Sequence, residues 1–434
     1  MSRRRLIAAA GGAALLAATH ALGAKRKARA KPAPPPTYAL RDDLLAFAAE
    51  VAERRGLERA WIVKQLAQAR KIDTVQRLMM PAPAGTPKNW AAYRDRFVEP
   101  RRVAAGVAFW QANAAWLTKA EASFGVPAQV VVAIIGVETF YGRMTGGFRV
   151  IDALATLAFD FPSGRSDRSP FFRSELEEFL AWCAREKVDP QGPKGSFAGA
   201  MGMAQFMPGS LNRYAIDFDG DGRVDLAGSA ADAVGSVARY LAENGWQRGL
   251  PTHLDVTPPA DDEARRVLLE PDIKPSFSAA QFAERGAALA AAPTDPGPLA
   301  LVMLENGPDR PPSYVAGTRN FYAITRYNWS AYYAMAVIAL GEALARAMPG
   351  WQSAVGEAVA AVPADAPASA RASAPASTAA GNAAEPPTAA ASGPTEVDAA
   401  SAEALGRLLP DAAPPAGGAP DAGASAPAAE SPPR

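Results

Sequence analysis

The chain has 434 residues, with 45 Lys and Arg against 44 Asp and Glu and a net charge of +1. That interspersed balance gives no footprint for a nucleic-acid partner. One cysteine, Cys183, and two histidines, His20 and His253, leave no internal disulfide and at most one histidine outside the N-terminal segment for a Ser-His-Asp triad, a Cys-His pair or a zinc site, so carboxylates, Tyr, Lys and amides remain for catalysis.

Met1-Ser-Arg-Arg-Arg5 leads into an apolar, Ala-rich run to Leu22, followed by the small residues Gly23 and Ala24. Residues 1–24 read as a cleaved export signal, because Gly11, Gly12, Thr19 and His20 interrupt a run already short for a membrane span. The expected mature protein is exported, periplasmic or wall-associated, without a transmembrane helix. No cysteine lies near the cleavage region to take a lipid anchor. Residues 25–37 are a basic, Pro-rich linker. From Tyr38 the pattern is helical: Leu44, Leu45, Phe47, Ala48 and Val51 form one face, Gly56 breaks it and Trp61–Ala69 resumes it. Pro81–Pro87 is a loop. Trp90–Phe97 and Arg101–Phe124 are predicted helices, the second with Val103, Val107, Trp110, Ala114 and Leu117 at helical spacing.

Pro127 suits the first turn of the next helix, whose apolar run Val130–Ile135 continues through Gly136 and Val137 into Glu138. Ile134 and Ile135 lie four and three residues before Glu138, so the acid shares a face with core-forming side chains. Desolvation at the end of such a helix favours the neutral acid, as general acid catalysis near neutral pH requires. A surface Glu ending a core helix fits the run equally well. Val150–Phe159 and Pro170–Lys187 are further helices, with Asp152 at a helix start and Glu175, Glu177 and Glu178 as a solvated face. Cys183 reads as a small buried apolar residue.

Pro190–Pro208 breaks the helical rhythm with Gly192, Gly195, Gly199 and Gly202. Either close packing or a ligand accounts for that density; Ser196 is the one hydroxyl of the tract and Gln205 its one long polar side chain. Asp217, Asp219 and Asp221 alternate before Gly222, as an EF-hand calcium loop requires, with the Arg223 carbonyl next. Gly228 stands where the closing Glu belongs, and Asp232 is the candidate to close a longer loop. A helix is predicted from Ala230 to Asn244. Residues 251–312 form a small α+β insert, with Val267-Leu-Leu269 and Leu299–Leu304 as strands and Ser278 capping a short helix to Arg285. A last helix runs from Ser330 to Met348, capped by Asn328 or Ser330. Residues 352–434 are Ala/Pro-rich without an aromatic and are expected to be disordered.

Residues from about Tyr38 to Gly350 resemble the lytic murein transglycosylase B family. The resemblance rests on five ordered blocks: Val132-Ala-Ile-Ile-Gly-Val-Glu-Thr-Phe-Tyr-Gly142, Asp152-Ala-Leu-Ala-Thr-Leu-Ala-Phe159, Gly195–Pro208, Asp232-Ala-Val-Gly-Ser-Val237 and Asn320–Asn328. It implies a mainly α fold: a lysozyme-like helical catalytic core at 38–250 and 313–351, with the β-containing insert and an EF-hand-like loop at 217–232. The implied activity is cleavage of the β-1,4 bond between N-acetylmuramic acid and N-acetylglucosamine without water, leaving a 1,6-anhydromuramoyl end. Glu138 is the implied sole acid/base. Ser196, Gln205, Tyr327, Asn328, Tyr93, Tyr240 and Tyr333 are the implied sugar contacts. Asp217, Asp219, Asp221, Asp232 and the Arg223 carbonyl are the implied ligands of a structural calcium ion, with no organic cofactor. The implied partners are peptidoglycan glycan strands, the tail being a candidate contact for cell-wall proteins. A lysozyme-type hydrolase using the same acid and an admitted water, or a glycan-binding protein that does not cleave, are the rival readings.

Overall fold

The computed structural model describes residues 38, 41–80, 86–164, 166–290 and 296–348. The expected export signal at 1–24, the expected linker at 25–37 and the expected tail at 352–434 lie outside these residues. Seven helices come first: α1 (Asp42–Arg55), α2 (Arg59–Ala67), α3 (Asp73–Leu78), α4 (Trp90–Asp95), α5 (Pro100–Ala112), α6 (Ala114–Phe124) and α7 (Ala128–Thr139). Then come β1 (Phe148–Arg149), α8 (Val150–Phe159), α9 (Ser169–Glu186), β2 (Lys194–Gly195), α10 (Pro208–Tyr214) and α11 (Ala230–Glu243). The insert contributes β3 (His253–Thr257), α12 (Asp262–Leu269), α13 (Ala279–Glu284), β4 (Ala288–Leu289), β5 (Ala300–Leu304) and β6 (Ser313–Gly317), before α14 (Arg319–Thr325) and α15 (Ala331–Ala347) return to the helical core.

The fold is mainly helical and is built around α7. Its sequence AQVVVAIIGVET holds six β-branched Val and Ile residues, which are indifferent helix formers. Burial decides the outcome: Val130 to Thr139 are all buried, and each such side chain taken from water contributes about 1.5–3 kcal/mol, against at most about 0.7 kcal/mol of lost propensity. α5, α6, α11 and α15 pack around α7. α8, equally buried, packs on α9. Among the described residues no single helix is long and apolar enough to cross a membrane; α6 and α7 together are, but they meet at a 115° bend.

Several expected elements are corrected. Arg101–Phe124 is two helices, because Asn113 leaves helical geometry (φ −118°, ψ 21°) and its side chain donates to the Phe109 carbonyl at 2.8 Å. Val267-Leu-Leu269 is helical, not a strand: Asp261 caps α12 by accepting from Ala264 N, and Leu268 alone of the three is fully buried. Glu177 is no solvated face residue. It is buried and bridges Arg54 and Arg55, each at 2.7 Å, tying α9 to α1. Burial pushes its carboxyl up, but the two guanidiniums outweigh that and hold it below the usual range. Glu175 is buried too and accepts from Gly209 N at 2.8 Å. Ser330, rather than Asn328, caps α15, and Ser278 caps α13 through a capping box with Gln281.

The insert sheet is antiparallel in the order β4-β3-β6-β5. Since β6 pairs with both β3 and β5, the boundary drawn at 312 moves to 317. Leu254, Leu268, Phe282, Leu299, Leu301 and Ala316 give the insert its own apolar cluster.

In the glycine-rich tract, backbone packs on backbone. A Cβ on Gly195 would stand 2.1 Å from the Ala200 carbonyl oxygen, and one on Gly202 (φ +71°) 2.6 Å from that of Leu226. Gly195→Ala is therefore expected to destabilise the protein by about 1–3 kcal/mol. Gly147→Ala, with nothing within 4 Å, should stay within about 0.5 kcal/mol. Denaturant unfolding of the two variants distinguishes them; equal effects would contradict this packing.

Candidate active site

α7 ends at the site. Phe140 (φ 50°) and Tyr141 (φ 60°) follow it in the left-handed region, at a cost of about 1–2 kcal/mol per residue. Two consecutive non-glycine residues hold such angles only where their surroundings over-determine them, as at functional sites. Here Thr139 does much of the fixing: its hydroxyl oxygen accepts from Gly142 N at 2.9 Å and donates to the Met203 carbonyl at 2.9 Å. The helix end is thereby tied to the glycine tract.

Glu138 is 8% exposed. Ser330 caps α15 and so positions Tyr333, whose hydroxyl donates to Glu138 Oε1 at 2.6 Å. Tyr327 stacks on Tyr333 with ring centroids 6.4 Å apart. Burial, and then the charge of Glu138, push both phenols well above their ordinary range. Each therefore stays a proton donor: Tyr333 to Glu138, Tyr327 to the Ala204 carbonyl.

Glu138 opens on a cavity of 390 Å³ whose walls include Phe97, Arg102, Arg143, Thr145, Phe148 and Ser196. It is the only carboxylate among the lining residues. Of the expected sugar contacts, Ser196 lines this cavity, its hydroxyl oxygen accepting from Ala198 and Ala200 N. Gln205 donates to the Thr145 and Gly202 carbonyls at 3.2 and 2.9 Å. Gln205 Oε1 and Asn328 Oδ1 are buried acceptors without a hydrogen-bond partner. Tyr93 packs on Phe97 of the cavity wall at 5.3 Å. Tyr240 packs on Tyr327 at 4.8 Å, its hydroxyl donating to the Arg326 carbonyl. Tyr240 thus supports Tyr327 and does not line the cavity.

Arg102 and Arg143 were not among the expected site residues. Arg102 carried a usable sign: it shares the spacing of Gly106 and Trp110, so a charge sits on the buried stripe of α5. A larger depression of 730 Å³, lined by Trp61, Lys64, Lys187 and Gln191, holds none of the expected site residues. Cys183, also in its lining, is buried, and burial pushes its thiol up, which makes it unreactive.

The acidic loop gathers carboxylate oxygens of Asp217, Asp219 and Asp221 within 4.8 Å of one another. The amides of Gly220, Asp221 and Gly222 point at Asp217. Desolvation raises the Asp217 carboxyl, but these amides outweigh it and hold the group below its usual range. Three such oxygens fit a hard divalent cation, which relieves their repulsion. Asp232 stands apart from the cluster: its two oxygens accept from Phe218 N and Asp225 N, both at 2.8 Å. It closes the loop by hydrogen bonds. Arg223 donates its amide to Asp221 Oδ1 at 2.8 Å.

Residues 40–342 match the Transglycosylase SLT domain family. Membrane-bound lytic murein transglycosylase B of Escherichia coli (strain K12) is 40% identical over 309 residues, covering 69% of this chain and 82% of that protein. The Escherichia coli lytic transglycosylase SLT35, solved in complex with calcium, is 38% identical with a TM-score of 0.62, over 72% of this chain and 96% of that one. SltB3 from Pseudomonas aeruginosa, solved in complex with NAG-NAM-pentapeptide, is 31% identical with a TM-score of 0.58, over 69% of this chain and 78% of that one. With residues 40–342 inside the family match and 40% identity to a murein transglycosylase over most of the chain, the chain belongs to the lytic murein transglycosylases, lysozyme-like enzymes that act on peptidoglycan.

Proposed function

We propose that Glu138 alone supplies both the acid and the base for non-hydrolytic cleavage of the MurNAc–GlcNAc bond. The observation that carries this reading is a buried carboxyl group, held by Tyr333, that is the only carboxylate lining its cavity. Glycosidases of the usual kind need two carboxylates, one of them a nucleophile or the base that activates water. With one, the protonated Glu138 gives its proton to the glycosidic oxygen as the C1–O bond breaks, releasing the N-acetylglucosamine hydroxyl. The resulting carboxylate then takes the proton of the muramoyl C6 hydroxyl while O6 closes on C1. The acid is regenerated and a 1,6-anhydro end remains.

Both protonation states must be reachable for one group to do both jobs. The Tyr333 hydroxyl donates to Glu138 as the carboxylate and can accept from it as the acid. The same hydrogen bond fixes the carboxyl rotation. Ser196, Gln205 and Asn328 supply hydroxyl and amide groups suited to sugar edges, and the unpartnered acceptors Gln205 Oε1 and Asn328 Oδ1 support that role. Tyr327 and Tyr93 supply ring faces near the cavity, and Tyr240 braces Tyr327. The basic-then-apolar start at 1–24 supports an exported enzyme working at the periplasmic wall.

In the same reading Asp217, Asp219 and Asp221, with the Arg223 carbonyl, hold a calcium ion that neutralises the loop and keeps its shape; the relative solved with calcium supports this. The loop is connected to the site. Met203 N donates to the Leu226 carbonyl at 2.7 Å, and Met203 in turn accepts from Thr139 at the end of α7.

Three outcomes are expected. Glu138→Gln lowers murein cleavage by about 10²–10⁴-fold, and the wild-type products end in anhydromuramic acid; reducing muramic ends alone would reject the mechanism. Tyr333→Phe lowers kcat by about 10–100-fold with little change in KM; unaltered steady-state kinetics would remove Tyr333 from the mechanism. Calcium at about 100-fold over its Kd raises Tm on the order of 5 °C relative to chelator, a response that Asp219→Ala loses; identical melting curves with and without calcium would count against a stabilising ion.

A further inference from the structure

The lining of the cavity next to Glu138 holds more positive than negative charge. It includes two guanidiniums, Arg102 and Arg143, against one carboxylate, Glu138. When Glu138 is protonated to act as the acid, nothing in the lining opposes them. Among the described residues neither arginine forms an ion pair.

Arg102 is the more unusual of the two, being 3% exposed. One of its terminal nitrogens donates to the Gly136 carbonyl, while Nε is buried without a partner. Phe97 and Phe140 flank the guanidinium at 5.4 and 4.8 Å. Arg143, also in the cavity lining, sits 5.3 Å from the same Phe140 ring. Burying a guanidinium is unfavourable unless it is paired, and ring faces and one carbonyl replace only part of its hydration. A planar group anchored at one nitrogen, with Nε unengaged, is preorganised for an oxyanion. The aromatic flanks also restrict its motion, so little is lost in ordering it on a ligand.

We infer that Arg102 and Arg143 form a carboxylate-binding subsite within the glycan-cleaving cavity. The inference rests on the reading of this cavity as the place of cleavage. Two carboxylate sources exist on murein: the carboxyl groups of the stem peptide, and, on muramic acid without a stem, the lactyl carboxylate that the stem otherwise blocks as an amide. Both share the chemistry that a guanidinium recognises, and the substrate decides between them.

The test compares kcat/KM of the wild-type enzyme on soluble peptide-bearing glycan strands with that on the same strands after carbodiimide amidation of their carboxyl groups. The expected result is about a 10-fold loss on amidation. The ratio between native and amidated strands should collapse to about one in Arg102→Gln and shrink in the more exposed Arg143→Gln. Equal rates of wild type on the two substrates overturn the inference, and this arm needs no variant to fold. An unchanged ratio in folded Arg102→Gln also overturns it. Strands stripped of peptide by an amidase locate the source. If these strands, which carry a free lactyl carboxylate in place of the stem, react as native strands do, the lactyl carboxylate also fills the subsite where no stem is present; if as slowly as amidated strands, only the stem carboxylate fills it. Anhydro products formed equally fast from native and amidated strands would sink this subsite alone, whereas their absence from every substrate would sink the reading beneath it.

Discussion

The hydrogen bond from Tyr333 to Glu138 constrains much of this molecule. It joins the first turn of α15 to the last turn of α7, two helices that lie far apart in sequence and pack directly on each other. To form at 2.6 Å between buried groups, it requires a dry seam between the helices, a capped start to α15 and an abrupt end to α7. Ser330 provides the cap. The end is provided by Phe140 and Tyr141 in left-handed conformation, held by Thr139. Strain at that point is offset by the burial of the apolar run that precedes it.

From Thr139 the constraint spreads outward. Its hydroxyl reaches Met203, whose amide reaches Leu226, so the end of α7, the glycine tract and the acidic loop form one continuous run of short hydrogen bonds. Glycine is needed along this path because Gly195 and Gly202 lie where a Cβ would strike a neighbouring carbonyl. The tract therefore serves packing first, and in doing so places Ser196 in the cavity wall. The proposed calcium loop sits at the far end of the same path, which gives a structural ion a route to the active site without any contact with substrate.

The parts legible in the sequence were those set by local rules. The apolar run to Glu138 specified a buried helix, the alternating Asp217, Asp219 and Asp221 specified a clustered acidic loop, and Ser278 marked the cap of a short helix. Tertiary choices were not legible. Glu177 reads as a solvated face until Arg54 and Arg55 arrive from α1. Val267-Leu-Leu269 is too short a run to distinguish helix from strand, and the Asp261 cap settles it. Asp232 is offered by the sequence as a ligand that closes the loop, and the hydrogen bonds its two oxygens accept from loop amides are visible only in the fold. The spacing of Arg102 marks it as buried, but that it forms no ion pair among the described residues is not legible in sequence, since that depends on which side chains fail to reach it. Tyr333 was expected as a sugar contact, but its hydroxyl is committed to the acid itself.

The central proposal is that one carboxyl group performs the whole reaction and that water takes no part in bond cleavage. Digestion of purified murein in water labelled with heavy oxygen tests this most directly. The account predicts no label in the newly formed muramoyl ends, whose oxygen at C1 comes from the sugar's own C6 hydroxyl. Stoichiometric label at C1 of those ends would contradict it and identify a hydrolase.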